Sequence, residues 1–235
     1  EIFGMLNLGE LKRAASVLRE ARIGALVDRV VQDGPDRLVL ALSRESERFV
    51  RDRTIVRLCV SQRAARLSEL TSIPKAETRQ SGFIQFLKAH YVSLAFVAVE
   101  VAEDDRFARF DFQGKGGQRS LLFQILGPRS NIYALDEKGL INASLRPTEK
   151  TRRDLEVGEP WRVPEGSASR EGEDRFAAVD DKALLVAIEE HYAKREREES
   201  EDRQIKQIAQ ALRKQRASIL RKLRRLEREQ EAGSR

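Results

Sequence analysis

The spacing of apolar and polar residues changes along the chain between a helical period and a strand period. Over 8–22, leucines and alanines recur close to every 3.6 residues, which predicts a helix with one face on a core. Over 25–70, and again from 95 to about 145, short apolar runs are broken by Gly, Pro and Asp, which predicts antiparallel strands. Ser81 is suited to cap a helix between them. Strands, helix and strands without repeated βα alternation predict an α+β domain, an antiparallel sheet or sandwich with packed helices.

Near the carboxyl end, four apolar residues recur seven positions apart. They are Ile205, Leu212, Ile219 and Leu226. This spacing predicts a coiled-coil strand, and the polar residues Gln215 and Lys222 on its second seam position indicate that it needs a partner helix. We therefore divide the chain into an α+β domain over 1–164, a polar linker over 165–180, and a helical region over 181–235 that ends in a coiled-coil arm.

The net charge of +6 on 235 residues is concentrated in this arm. From Arg203 to Arg235 there are eleven Lys or Arg against three Glu, which leaves about −2 for the rest of the chain. A basic rod attracts polyanions through counterion release, independently of nucleic-acid sequence. The alternative is that these charges are simply the solvated face that any coiled coil exposes.

The amino-acid composition excludes several classes of protein. Cys59 is the one cysteine, so an internal disulfide is excluded and a buried thiol in a reducing compartment is expected. The two histidines have no second ligand at metal spacing, and no nucleophile–base set or cofactor loop is evident, so we expect neither an enzyme nor a bound metal or cofactor. No apolar run approaches the roughly 18 residues of a membrane helix, which favours a soluble, cytoplasmic protein.

Two polar turns are candidates for binding. A turn carrying Arg129, Ser130 and Asn131 interrupts two apolar runs, so these side chains either grip a phosphate or nucleotide edge, or Asn131 merely closes the turn. The pair Asp105 and Arg106 precedes a strand and either places a guanidinium fork on phosphate or a base edge, or forms an ordinary hairpin turn.

A third turn is rich in glycine. The run 113–118 lacks the spacing of a phosphate-binding loop and does not open onto a helix, so it predicts a hairpin tip. Lys115 on that tip is suited to contact an RNA backbone.

The turn at 127–131 resembles a motif of the amino-terminal domain of the NFACT family, once called fibronectin-binding protein A-like. Gly127, Ser130 and Asn131 match the glycine, serine and asparagine of the family pattern. Gln124 stands in place of a glutamate, and Arg129 lies one position later than the arginine of the family.

Further segments fall in the order of the family. They are 25–42, similar to its first hairpin; 58–67, similar to its next strand pair; 86–91, similar to a basic helix; and Asp105-Arg106, which stands where the family carries an Asp-Arg pair. Lys88 lies in the third of these. The resemblance covers about 8–163 and resumes from about 183 to the end.

Two departures accompany the resemblance. Between Trp161 and Asp180, where the family inserts a helix-hairpin-helix module, this sequence has a short polar connector. The coil is similar to the first arm of the antiparallel helical hairpin of the family. We therefore expect either a piece of a longer protein or a protein that self-associates to complete the coil.

The resemblance implies an RNA-binding factor of ribosome-associated quality control. It would bind transfer RNA and the obstructed large ribosomal subunit as part of nascent-chain tailing, without catalytic residues of its own. The implied transfer-RNA contacts are Asp105, Arg106, Arg129, Ser130 and Asn131. The candidate RNA backbone contacts are Lys88, Lys115, Arg213, Lys214, Arg216, Arg221, Arg224 and Arg225.

Two alternatives remain from the sequence. The first domain of the family resembles in fold that of formamidopyrimidine DNA glycosylases, which suggests a DNA-repair enzyme. That chemistry needs an amino-terminal proline with an adjacent glutamate, and this sequence offers Glu1-Ile2 and no zinc cysteines. The older family name suggests a cell-surface fibronectin-binding adhesin, although the sequence shows no leader or anchor pattern.

Overall fold

A computed structural model describes residues 4–45, 51–151, 155–163 and 172–233. The strands are β1 (Leu26–Gly34), β2 (Arg37–Glu45), β3 (Arg51–Cys59), β4 (Arg66–Leu70), β5 (Ala95–Val101), β6 (Phe107–Gly114), β7 (Gly117–Gln124), β8 (Asn131–Leu135) and β9 (Ile141–Ser144). The α-helices are α1 (Leu8–Arg22), α2 (Gly82–His90) and α3 (Asp181–Gly233), and short 3-10 turns lie at Gly127–Arg129 and Thr148–Thr151.

The nine strands form one antiparallel sheet in the order β4-β3-β2-β1-β5-β6-β7-β8-β9. Chain neighbours pair with each other except at the centre, where Leu26 of β1 lies opposite Ala95 of β5. The predicted α+β class, with an antiparallel sheet, packed helices and a long basic carboxy-terminal helix, is confirmed.

Local chemistry sets the limits of α1. Asn7 accepts a hydrogen bond from the Glu10 amide at 2.9 Å, and the Glu10 carboxylate accepts one from the Asn7 amide at 3.0 Å. This reciprocal capping satisfies two amides that the helix leaves unpaired. The apolar stripe of α1 is buried, as its period predicted, and the helix contacts β4 and β5.

Aromatic rings fill the core between α2 and the second half of the sheet. Tyr91, which directly follows α2, meets Phe112 edge to face with ring centroids 5.6 Å apart, and Phe96 packs on Phe110 and Phe112. The buried Tyr91 hydroxyl donates to the Ser120 carbonyl at 2.8 Å. Because its polar tip is satisfied, this ring can lie fully inside the core.

Residues 172–180, part of the predicted linker, pack against α1. Arg175 donates from Nε to Glu10 at 2.7 Å, and Arg13 donates to Asp174 at 3.0 Å and to Asp181 at 2.9 Å. Phe176 is buried. The described part of this polar connector thus holds ion pairs and an apolar anchor that its composition did not suggest.

The chain divides into two compact units, Glu1–Glu190 and His191–Arg235. The first unit includes the opening turns of α3, while the domain limits drawn from the sequence at 164 and 180 stay a prediction. In the part of the chain that the structure describes, no helix combines the length and apolar character required to span a membrane.

Candidate nucleic-acid interface

Two of the predicted binding turns lie side by side at one end of the sheet. Phe107 of β6 is opposite Gln124 of β7, which is in turn opposite Asn131 of β8. The turn before β6 and the turn between β7 and β8 are therefore neighbours, and the Ile125 amide donates to the Arg106 carbonyl at 2.8 Å. The fold brings Arg106 and the turn of Arg129 together although 23 positions separate them in the sequence.

Arg106 is the half-buried member of this pair of turns. Its backbone amide donates to the Asp105 carboxylate at 2.7 Å, which ties the two residues together. Burial lowers the pKa of the Arg106 guanidinium, while the nearby Asp105 carboxylate acts in the opposite direction. Its Nε is shielded from solvent and has no hydrogen-bond partner in the described structure. A buried donor without an acceptor is costly, and a phosphate or base oxygen would satisfy it.

Ser130 is fully buried inside the neighbouring turn. Its hydroxyl donates to the Gly127 carbonyl and accepts from the Leu126 amide, each at 2.8 Å. Gly127 has a positive φ of 57°, a conformation that glycine adopts without steric cost. These bonds close the 3-10 turn that presents Arg129, whose side chain is exposed.

Asn131 is also fully buried and fixes the other side of the turn. Its Oδ1 accepts from the amides of Ile132 and Arg146, each at 2.9 Å, and its Nδ2 donates to the Arg146 carbonyl at 3.0 Å. The side chain thus replaces a missing strand partner between β8 and the residues after β9. Of the three predicted contacts in this turn, Arg129 alone has a side chain exposed to a ligand. The side chains of Ser130 and Asn131 are buried and stabilise the turn.

Arg146 was not anticipated from the sequence. Its Nε donates to Asp36 at 2.8 Å and its Nη1 donates to the Ser130 carbonyl at 3.1 Å. It therefore ties the Arg129 turn to the connection between β1 and β2. No local signal marks this arginine, because Asp36 lies 110 positions away in the chain.

A cleft of about 530 Å³ opens beside the same turn. Its lining includes Asp36, Arg79, Ser81, Pro128 and Arg146. The cleft therefore borders the residue that precedes Arg129.

The other two predicted contacts of the first unit are exposed lysines. Lys115 is exposed on the tight turn joining β6 to β7, so the length of β6 places it roughly 25 Å from Arg106. Lys88 is exposed on α2, and its Nζ donates to the Gln80 side chain at 2.7 Å. Lys115 therefore lies away from Arg106, whereas Gln80, the partner of Lys88, lines the cleft beside the Arg129 turn.

The second unit, His191–Arg235, carries the remaining predicted contacts on exposed helix. Those side chains belong to Arg213, Lys214, Arg216, Arg221, Arg224 and Arg225. From Arg203 to Arg225 the sequence has nine Lys or Arg and no Asp or Glu. Ile205, Leu212 and Ile219 are exposed as well, so the described arm presents an apolar seam within a strongly positive surface.

The model of the NFACT N-terminal and middle domains matches residues 10–184. This chain belongs to the NFACT family. The match includes both turns at the sheet end, Asp105-Arg106 and 127–131. No curated protein sequence matches this NFACT chain.

Solved structures support the NFACT fold. The N-terminal domain of fibronectin-binding protein PavA from Streptococcus pneumoniae has a TM-score of 0.56 at 20% identity, over 74% of this chain and 65% of that one. The N-terminal part of the fibronectin/fibrinogen-binding protein from Streptococcus suis has a TM-score of 0.57 at 17% identity, over 67% and 61%. The fibrinogen binding protein from Staphylococcus aureus has a TM-score of 0.54 at 14% identity, over 79% and 82%. The NFACT chain thus spans less than two thirds of the first two, and at these identities the likeness concerns the fold.

Proposed function

We propose that this NFACT protein binds RNA through the sheet end that carries Arg106 and Arg129. Its targets would be transfer RNA and the obstructed large ribosomal subunit, and its role would be nascent-chain tailing in ribosome-associated quality control. The mechanism is positioning of RNA, without bond chemistry performed by the chain itself.

The observation that carries this proposal is the convergence of the two turns. Arg106 offers a buried Nε without a partner in the described structure, and Arg129 offers an exposed side chain on the adjacent turn. Arginine presents donors in a planar fork that suits phosphate and base edges. In this proposal Asp105 orients Arg106, and Ser130 and Asn131 act by holding the turn of Arg129.

The basic arm supplies a second, less specific attraction. Exposed lysines and arginines neutralise phosphates and release counterions, whatever the RNA sequence. The sheet end would therefore select the RNA while the arm increases affinity and the rate of encounter.

Recovery of RNA from cells tests the proposal. The chain is isolated from its own cells, the bound RNA is sequenced, and the double variant Asp105→Ala/Arg106→Ala is treated in parallel. We expect enrichment of transfer RNA and large-subunit RNA with the original chain and loss of transfer RNA with the variant. Equal recovery of transfer RNA from both would refute the role of the sheet end.

The printed names of the neighbours favour a second candidate, binding to fibronectin or fibrinogen. These neighbours share 14% to 20% identity with this chain, so their binding properties do not transfer with the fold. Titration of the purified chain onto immobilised fibronectin separates the two candidates. Saturable binding that Asp105→Ala/Arg106→Ala leaves intact, together with no RNA recovery, would favour the adhesin.

A further inference from the structure

The cleft beside the Arg129 turn is lined by a largely buried glutamine whose amide oxygen is hydrogen-bonded within the described structure and whose amide nitrogen faces solvent. Gln32, on β1, is 4% exposed and lines the cleft. Its Oε1 accepts from the Ser81 hydroxyl at 2.9 Å and from the Ser81 backbone amide at 3.3 Å. A backbone amide can only donate, so the atom facing it must be the amide oxygen.

The orientation of Gln32 is therefore fixed, and its Nε2 is the group left to meet a ligand. Among the described residues, its side chain bonds with Ser81 alone. Nε2 is not among the shielded polar atoms that lack a partner, so it reaches the solvent of the cleft and can donate to an acceptor atom bound there.

The charges around the cleft argue against a phosphate as its occupant. The guanidinium groups of Arg79 and Arg146 are balanced by the carboxylates of Asp36 and Glu77, all four of which line it. A neutral planar molecule with donor and acceptor atoms on one edge matches an amide donor beside carboxylate acceptors. Nucleobases have such edges, and Arg planes commonly stack on unpaired bases.

Size and position agree with this assignment. A volume of about 530 Å³ lies within the usual range for small-molecule sites and accommodates a nucleoside. Pro128 lines the cleft and is followed directly by the exposed Arg129. A nucleotide with its base in the cleft would therefore have its phosphates close to the proposed RNA-binding surface.

We propose that this cleft, with Gln32 as hydrogen-bond donor and Arg79 as stacking partner, binds one unpaired nucleobase of the RNA held at the sheet end. The proposal rests on the proposed RNA-binding function. Arg106, Arg129 and the arm would contact the RNA phosphate backbone, and this contribution to the affinity does not depend on the base. The cleft adds a contribution that does.

The test compares homopolymeric RNA oligomers of about eight nucleotides with an abasic ribose-phosphate oligomer of equal length. Their affinities for the full chain are measured by fluorescence anisotropy over a range of salt concentrations. We expect at least one base-bearing oligomer to bind about tenfold more tightly than the abasic one.

Two variants test whether this difference in affinity arises in the cleft. Gln32→Glu keeps the oxygen that Ser81 contacts and replaces the donor by an acceptor, and Arg79→Lys keeps the charge of an exposed residue while removing the stacking plane. Each variant should reduce the difference in affinity between base-bearing and abasic oligomers severalfold. The dependence of affinity on salt concentration should stay unchanged. Gln118→Glu, the same chemical change at an exposed site at the far end of β7, should leave the difference intact.

The possible failures are distinguishable. Equal binding of base-bearing and abasic oligomers, or a base-dependent difference that survives both Gln32→Glu and Arg79→Lys, would overturn the cleft assignment while leaving RNA binding in place. Failure of every oligomer and of transfer RNA to bind at low salt would overturn the proposed function and the cleft assignment together.

Discussion

Arg66 on β4 donates from Nε to the Glu189 carboxylate on α3 over 2.9 Å, and Arg66 is fully buried. The same carboxylate accepts from the Ser68 hydroxyl at 2.7 Å and forms an ion pair with Arg57, which also pairs with Asp33. Two arginines and two carboxylates thus neutralise one another between the sheet and the opening turns of α3. This cluster anchors the opening turns of α3, which belong to the first unit, to the sheet.

Removal of one buried partner from such a cluster leaves uncompensated charge. We therefore expect Glu189→Ala to lower the free energy of unfolding by about 3–5 kcal/mol. Denaturant titration followed by circular dichroism measures the change. Glu190→Ala, the same substitution at the exposed next residue, should change stability by less than about 0.5 kcal/mol. A Glu189 variant as stable as the Glu190 variant would show that the cluster does not hold α3.

Asn131 should act on RNA binding through the shape of its turn. Asn131→Ala removes three hydrogen bonds and leaves the amide and carbonyl of Arg146 without this partner, so we expect a loss of about 1–3 kcal/mol in stability. RNA affinity should fall with it, because the turn that presents Arg129 loosens.

Temperature separates that indirect effect from a direct contact. The affinity lost in Asn131→Ala should be recovered in part on cooling, when the turn is better ordered, whereas loss in Arg129→Ala should persist. Asn142→Ala on β9 is the control for amide removal. Unchanged stability of Asn131→Ala would contradict the structural role of this side chain.

The sequence predicted those features whose causes are local. The helix α1 was predicted from the spacing of its apolar residues, and the turn at 127–131 from residues that favour turns. It did not predict the partners that come from distant parts of the chain. Arg66 and Glu189, 123 positions apart, look like ordinary surface charges, and nothing near Arg146 points to Asp36.

The candidate site likewise combines residues that the sequence predicted with contacts between distant segments that it did not. Arg106 and Arg129 were each suggested by a family motif, whereas their proximity depends on the pairing of β6, β7 and β8. Gln32 gave no signal at all, because one buried amide in an apolar strand is recognisable only when its partner and the adjoining cleft are known.

Glu69 on β4 should make stability depend on pH. Burial raises the pKa of its carboxyl above the usual range, although Arg22 and Thr54 act in the opposite direction. Because the folded state favours the protonated form, Glu69 costs stability as the pH rises through this raised pKa. Glu69→Gln should therefore stabilise the protein at neutral pH and have much less effect near pH 4. Thermal melts of both proteins at the two pH values measure this, and equal melting temperatures at neutral pH would contradict it.

The arm should contribute to RNA affinity through charge alone. Changing Arg213, Lys214 and Arg216 to Gln should reduce the slope of log affinity against log salt by roughly 2 units, because up to three phosphate contacts are lost. The matched control changes three exposed basic residues of the first unit, Arg29, Arg63 and Lys138, to Gln. Identical slopes for the two triple variants would show that the arm makes no phosphate contacts of its own.

The affinity of the purified chain for transfer RNA at one low ionic strength, compared with that of Asp105→Ala/Arg106→Ala, tests the central claim most directly. Glu137→Ala/Lys138→Ala removes another adjacent acid–base pair, exposed at the turn between β8 and β9, and is the matched control. Loss of a charged hydrogen-bonding group predicts a decrease of at least about tenfold for the first variant and little change for the control. Equal affinity of all three proteins, or no binding by the original chain, would contradict the account.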